Sequence, residues 1–330
     1  MFILNSYTLV TGGCGFVGRH LVKRLLNENH QVVVVDNLYS GIHPDLWVND
    51  KLKSNLTFHN LDARDFFSSS KSFEQKFDNV FHLSAVIGGR IKIDKDPISV
   101  AQDLSIDSEF FNWAIKSKPE QILYASSSAA YPTNLQQSDS QTLLSEDMIT
   151  FDGTLGFPDM TYGWSKLTGE YLSRLASKHY GLNVACVRPF SGYGEDQDKS
   201  YPVPAIGERA VKKEDPLIVW GTGKQSRDFV YIEDCIDAML LAIEKITDGS
   251  AVNISSGKLT SFLEIAQIYA NIAGYSPKIQ PLDDMPEGVF ARFGDTKKSK
   301  DLLGWMPKTD LHDGLTIVYE NIKNELEKTR

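Results

Sequence analysis

Three groups of residues have types and spacings that can do chemistry. The first is Thr11-Gly12-Gly13-Cys14-Gly15-Phe16-Val17-Gly18. It follows the apolar run Tyr7-Thr8-Leu9-Val10 and precedes Arg19–Leu26, whose apolar residues recur at helical spacing. Glycines at such a strand-to-helix turn let a pyrophosphate lie against backbone N–H groups at a helix N-terminus, where the dipole favours negative charge. A second β-rich run, Gln31–Val35, ends in Asp36, 18 residues past Gly18. A carboxylate there can accept hydrogen bonds from ribose hydroxyls and repels a 2′-phosphate, which argues for NAD over NADP.

The second group is Tyr162 and Lys166, four residues apart and so on one face of a helix. A phenol, with a usual pKa near 10, is a poor base at neutral pH. An ammonium beside it and a cationic nicotinamide ring favour the phenolate. Such a tyrosine can take a proton from a sugar hydroxyl while hydride leaves the same carbon for NAD, and the lysine can also bond the nicotinamide ribose. The third group is the run Ser126-Ser127-Ser128 at the end of an apolar strand, from which one hydroxyl is expected to hold the substrate oxygen.

The elements that must position these groups follow from the pattern. Apolar runs at 56–61, 79–83, 121–125 and 182–188 read as further strands, and helices are expected at about 97–117 and 161–180. Alternating helices and uniformly apolar strands predict an α/β fold: a Rossmann-type doubly wound parallel sheet covered on both faces. Beyond residue 190, prolines 189, 202, 204 and 216 and a polar loop at 194–200 interrupt the pattern. Short strands near 218–220 and 229–231 and helices near 232–246, 261–273 and 312–326 predict a smaller α/β substrate-binding domain over the carboxyl ends of the sheet. The expected division is 1–190 plus about 229–258 for the NAD-binding domain, and about 191–228 plus 259–330 for the substrate-binding domain.

Composition sets the outer limits. The chain has 330 residues, 42% hydrophobic and 23% charged, and a net charge of −9 without a long basic run. Nucleic acid and anionic membranes are therefore not expected as partners. Cys14, Cys186 and Cys235 lack metal-ligand spacing and read as buried thiols in a reducing compartment, so no metal is expected. Met1-Phe2-Ile3-Leu4 lacks the basic start of a signal peptide, and no apolar run approaches the ~18 residues that span a bilayer. A cytoplasmic location is the expectation.

Taken together, Thr11–Gly18, Asp36, Asp62, His82-Leu83-Ser84-Ala85, the serines before Tyr131, Tyr162/Lys166, Arg188–Gly194 and Gly221–Asp234 resemble the extended short-chain dehydrogenase/reductase family, the NAD-dependent nucleotide-sugar epimerases and dehydratases. The resemblance covers nearly the whole chain. It implies that Gly12, Gly15 and Gly18, with Phe16 and Val17, hold the pyrophosphate. Asp36 and Asn37 fall to the ribose, Asp62 and Leu61 to adenine, and Leu83, Ser84, Ala85 and Pro189 to the border of the cofactor. Ser127, four residues before Tyr131, becomes the catalytic hydroxyl, with Tyr162 as base and Lys166 as its partner. Ser128, Ser191, Arg227 and Arg292 become substrate residues, the arginines suited to a diphosphate. The family usually has Ala where Ser84 stands and Asn where Ser191 stands.

The resemblance also sorts the reactions. Dehydrating relatives carry an Asp-Glu pair where Ser128 and Ala129 stand; decarboxylating relatives carry Glu, and 3,5-epimerising relatives Cys, at the position of Ala129. Neither Ser128 nor Ala129 can transfer protons at neutral pH. What remains is redox at C4 of a nucleotide-diphosphate hexose through a transient 4-keto sugar. A 4-epimerase is the first expectation and a 4-dehydrogenase or reductase the second, followed by a 3,5-epimerase or dehydratase and, outside enzymes, an NAD-binding regulatory protein. Gly88-Gly89 resembles the GDP-mannose epimerase and GDP-fucose synthase branch, so GDP and UDP hexoses are both candidate substrates. The family commonly dimerises through the helices at about 97–117 and 161–180, and a homodimer is expected here.

Overall fold

The computed structural model describes residues 6–69, 72, 74–86, 88, 90–138, 141–153 and 155–328. The apolar start Met1–Leu4 and Gly89 of the glycine pair lie outside the described residues. Strands in the first half are β1 (Tyr7–Thr11), β2 (Gln31–Asp36), β3 (Leu56–Asn60), β4 (Asn79–His82), β5 (Gln121–Ala125) and β6 (Leu143–Leu144). Then follow β7 (Val184–Pro189), β8 (Ser191–Tyr193), β9 (Leu217–Trp220), β10 (Ser226–Arg227) and β11 (Phe229–Tyr231). The last four are β12 (Asp248–Ile254), β13 (Thr260–Ser261), β14 (Ile279–Leu282) and β15 (Ala291–Gly294). Helices are α1 (Phe16–Asn27), α2 (Ala63–Ser68), α3 (Arg90–Lys95), α4 (Pro97–Val100), α5 (Gln102–Ser117) and α6 (Met160–Tyr180). The second half adds α7 (Pro202–Val211), α8 (Ile232–Lys245), α9 (Phe262–Ile272) and α10 (Leu311–Lys328).

Seven strands form one parallel sheet in the order β12-β7-β5-β4-β1-β2-β3. Its central strands are apolar along their length because both faces are covered. Leu21, Leu25, Val10 and Val34 pack with Ile236 and Met239 on one face, and Leu9, Val35, Phe66, Phe110 and Trp113 on the other. Each such side chain contributes about 1.5–3 kcal/mol on burial. Strand order reverses between β1 and β4, so a crevice opens at their carboxyl ends, beside Gly12 and Leu83. The sheet is the Rossmann-type one expected from the alternating pattern.

Three details differ from expectation. β12 is a seventh strand; its sequence, DGSAVNI, is too polar to read as a buried run, and its pairing with β7 is irregular between Asp248 and Ala251. Pro202 and Pro204 open α7 instead of interrupting the chain, because the first turn of a helix has no use for the missing N–H. The helix expected at 97–117 is two helices, α4 and α5, parted at Ala101.

Two polar anchors fix the frame. Arg188 on β7 meets Glu170 on α6 through two hydrogen bonds of 2.8 and 2.7 Å, both side chains fully buried. Ser126 donates to the same carboxylate, and Arg188 donates to Tyr131 at 2.9 Å. Gly169 leaves room for Tyr124, whose hydroxyl would lie 1.9 Å from a Cβ there, so α6 sits tight on β5. The second anchor is Asp228, between β10 and β11. It accepts from Ser255 Oγ (2.5 Å), Ser256 N and Oγ (2.7 and 2.6 Å), Gly257 N (2.9 Å) and Gly294 N (3.3 Å).

Beyond the main sheet, β13-β10-β15-β6 form a four-stranded sheet, and β8 with β11 and β9 with β14 form pairs.

Candidate active site

The glycine turn is built around close backbone approach. Gly12 has φ +71°, and a Cβ there would meet Leu83 C and Ser84 N at 2.8 Å. At Gly18 a Cβ would lie 2.3 Å from Gly12 O, so only glycine lets α1 start against the turn. Gly15, at the N-cap, faces open space apart from Gly12 O at 3.4 Å. No side chain caps α1, and the first-turn N–H groups of Phe16, Val17 and Gly18 have no acceptor within the helix. This open cradle of backbone donors fits a pyrophosphate.

Asp36 ends β2 beside the turn. Its carboxylate accepts from Cys14 N (2.9 Å) and Leu38 N (2.8 Å); burial raises its pKa, and these bonds offset part of the rise. Each oxygen keeps a lone pair for a further donor. The remaining residues expected at the cofactor differ in their freedom. Asn37 is exposed and accepts from Tyr39 N. Leu61, Leu83, Ser84, Ala85 and Pro189 are half-buried. Asp62 is already engaged: it caps α2 through Arg64 N and holds the Arg64 guanidinium at 2.9 and 2.8 Å.

The structure divides the serine run. Ser126 turns into the interior and donates to Glu170 at 2.5 Å, a structural task. Ser127 and Ser128 line a cavity of about 880 Å³ together with Tyr162, Ser191, Arg227 and Arg292. Ser127 Oγ accepts from Ala129 N at 3.1 Å, which fixes the hydroxyl at the cavity wall.

Lys166 lies behind Tyr162, with its ammonium 5.8 Å from the Tyr162 ring and 5.4 Å from the Tyr124 ring. It is buried. Burial alone would drive off its proton, but Tyr162, Asp107 and Asp103 outweigh that and hold its pKa above the usual lysine range. Lys166 therefore stays an ammonium. Its acidic companions form a buried layer that motif spacing did not single out. His82 accepts or donates between Thr11 Oγ1 (2.8 Å) and Asp107 (3.1 Å), and Tyr124 donates to Asp107 at 2.6 Å. Burial lowers the pKa of His82, which stacks on Phe110 at 4.0 Å. Asp103 accepts from Val86 N at 2.6 Å, and burial pushes its pKa up to about 6. Two acids four residues apart on the apolar face of α5 were the available signal.

The far end of the cavity is rich in guanidinium groups. Arg227 and Arg292 are register partners on β10 and β15. Arg227 packs over Phe262 (5.8 Å) and donates to the carbonyls of Ser226 (2.9 Å) and Glu287 (3.3 Å). Burial, then Arg292 and Arg90, pull its pKa down to about 9, so it still carries its charge at neutral pH. Arg292 pairs with Asp159 at 2.8 Å and with Gln136 at 2.5 Å. Arg90, which spacing had not marked, bonds the other Asp159 oxygen at 2.9 Å.

The 194–200 loop sits on the cavity through Gln197, Lys199 and Ser200. Its Glu195 accepts from Tyr231 at 2.8 Å. Trp164 is exposed and packs edge-on against Phe157 at 5.9 Å, away from the cavity. The three cysteines are buried and unpaired. Among the described residues no group of His, Cys, Asp or Glu is placed to hold a metal ion, and no helix is long and apolar enough to cross a membrane.

Known proteins share this fold. The chain is 31% identical over 328 residues to a putative UDP-glucose 4-epimerase of Methanocaldococcus jannaschii, covering 96% of this chain and 98% of the relative. It is 28% identical over 331 residues to GDP-mannose 3,5-epimerase 1 of Oryza sativa subsp. indica, covering 97% and 82%. The crystal structure of UDP-glucose 4-epimerase with UDP-glucose from Thermotoga maritima superposes with a TM-score of 0.85 at 27% identity, covering 97% and 99%. Residues 8–255, from β1 through the end of β12, match one described family. With its glycine cradle on a doubly wound sheet, the chain belongs to the NAD dependent epimerase/dehydratase family of nucleotide-sugar enzymes, and its cofactor is NAD.

Proposed function

We propose that this chain interconverts C4 epimers of a nucleotide-diphosphate hexose. One observation carries the reading: Ser127 and Tyr162 face the same cavity as Arg227 and Arg292, while Ser128 and Ala129, beside the catalytic hydroxyl, offer no acid or base.

The residues divide the work. Bound NAD supplies a hydride acceptor and donor. Gly12, Gly15 and Gly18 receive its pyrophosphate, and Asp36 its ribose. Ser127 holds the sugar's 4-oxygen. Tyr162 takes the proton from that oxygen and later returns it. Lys166, kept as an ammonium, stabilises the phenolate through which Tyr162 acts. Arg227 and Arg292 would grip the diphosphate and leave the sugar ring free to turn about its bond to phosphate. Residues 1–190 with about 229–258 serve the cofactor, and the remainder serves the nucleotide sugar.

A homodimer through α5 and α6 is part of this reading. Leu104 on α5 and Tyr171 on α6 are large apolar groups 40% and 44% exposed on those helices. The expected setting is cytoplasmic. UDP sugars are favoured by the bound ligand of the Thermotoga maritima relative, and GDP sugars by the Oryza sativa relative.

The test is to incubate the protein with UDP-, GDP-, CDP- and dTDP-hexoses and follow products by NMR. A C4 epimer without accumulating NADH absorbance is the expected outcome. Accumulating NADH assigns the chain to net 4-dehydrogenation. NAD binding without turnover of any hexose leaves the regulatory-protein reading.

A further inference from the structure

The anion end of the cavity contains an anion of its own. Asp159 is 8% exposed, and each of its oxygens is held by a different guanidinium: Arg90 at 2.9 Å and Arg292 at 2.8 Å. Arg90 and Arg227 also converge. Their nearest nitrogens lie 3.4 and 3.5 Å from the single point where a Cβ on Gly288 would sit. Three guanidinium groups thus share one space. Asp94 neutralises part of Arg90, but among the described residues no carboxylate pairs with Arg227.

The backbone at Asp159 is arranged for this task and not for capping. Asp159 occupies the N-cap of α6, a position where aspartate normally bonds the first-turn N–H groups, yet its side chain makes no cap bond. Its N–H donates to Ala129 O (3.0 Å), and its carbonyl accepts from Gly163 N (2.8 Å). The next residue, Met160, takes φ +54°, a left-handed conformation that a side chain bearing a Cβ disfavours. The chain accepts that strain and forgoes a cap, and the result is a carboxylate aimed at two arginines.

We propose that Asp159 is the built-in counter-anion of a three-arginine diphosphate site formed by Arg90, Arg227 and Arg292. It holds Arg292 and Arg90 at the cavity wall before a ligand arrives, and an incoming diphosphate takes Arg292 from it. A diphosphate prevails because it brings two charged groups to the arginines where Asp159 brings one. Asp159 and Arg90 therefore set how tightly the site binds nucleotide, with opposite signs. Removing the carboxylate frees Arg292 for the ligand. Removing Arg90 leaves Asp159 to Arg292 alone and takes one charge from the site. This inference rests on reading the cavity as a nucleoside-diphosphate site.

The test uses UDP and GDP as probes, titrated calorimetrically into the NAD-loaded protein. Asp159→Asn should lower the Kd of the better-bound probe at least threefold, and Arg90→Met should raise it at least threefold. A scaffold role for Asp159 predicts weaker binding in both variants; that result, or an unchanged Kd in Asp159→Asn, overturns the proposal. Should Asp159→Asn fail to fold, Arg90→Met still decides: binding as tight as in the unaltered protein overturns it. If the unaltered protein binds neither UDP nor GDP, the functional reading falls, and this inference with it. If it binds them and the signs are wrong, only this inference falls.

Discussion

Two charged clusters flank α6, and they are built in opposite ways. At the Glu170–Arg188 pair a guanidinium and a carboxylate meet through two bonds, Ser126 and Tyr131 complete the set, and the group is sealed from water. At Asp159 three arginines crowd around a cavity with a surplus of positive charge. A balanced, closed cluster can only hold structure. An unbalanced one beside a cavity stays incomplete until an anion enters. Charge surplus in a cavity therefore marks the working site more reliably than the presence of charge.

This contrast can be sharpened or broken by experiment. The largest effect is expected on the cavity side. Tyr162→Phe should lower turnover on the order of 10⁴-fold, the upper range for loss of a positioned acid–base group, while melting temperature and NAD content stay unchanged. Near-normal turnover would remove Tyr162 from the chemistry. Next comes Glu170→Ala on the sealed side. It leaves Arg188 buried without its carboxylate, and urea unfolding should show a loss of about 3–5 kcal/mol. A loss below about 1 kcal/mol would erase the distinction between the clusters.

Arg227→Met should behave in the reverse manner. It removes a desolvated charge that Asp159 and Glu287 offset only in part, so stability should hold or rise, while UDP or GDP binding weakens about 10–100-fold, a charge-assisted contact of about 1.5–3 kcal/mol. The smallest effect concerns Asp103, in the layer behind Lys166. Its folded pKa of about 6 stands above the ordinary 3.8, so the folded state prefers it protonated. Its stabilising contribution is full below about pH 4 and is lost as pH rises through 6. Asp103→Asn should therefore stabilise the protein by up to about 3 kcal/mol at pH 8, with the gain shrinking between pH 6 and 4. A gain that does not vary with pH would show that Asp103 does not titrate in that window.

What could be read from the chain alone was whatever depends on near neighbours. Gly12, Gly15 and Gly18 act within one turn, and Tyr162 and Lys166 within one helical face, so spacing along the chain is spacing in space. Arg90, Asp159 and Arg292 lie 69 and 133 residues apart and meet only after folding. The serine run needed the strand's alternation, which sends Ser126 inward and Ser127 to the cavity. A clue existed: Glu170 continues the Tyr162, Lys166 ladder by four more residues and requires a buried partner. Asp62, expected at adenine, is bound to Arg64 two residues on, a local competition the motif does not reveal. β12 and α7 escaped notice because polarity and proline mask a strand and a helix whose support comes from the rest of the molecule.

Asp228 has a mechanical consequence. Through one carboxylate it fastens the loop after β12, which belongs to the large sheet, to Gly294 of the small one. Swinging the two sheets apart would break either its bonds to Ser256 and Gly257 or its bond to Gly294. The anchor therefore couples the two sheets and resists a hinge between them. A calorimetric scan should show a single peak, with both sheets melting as one body.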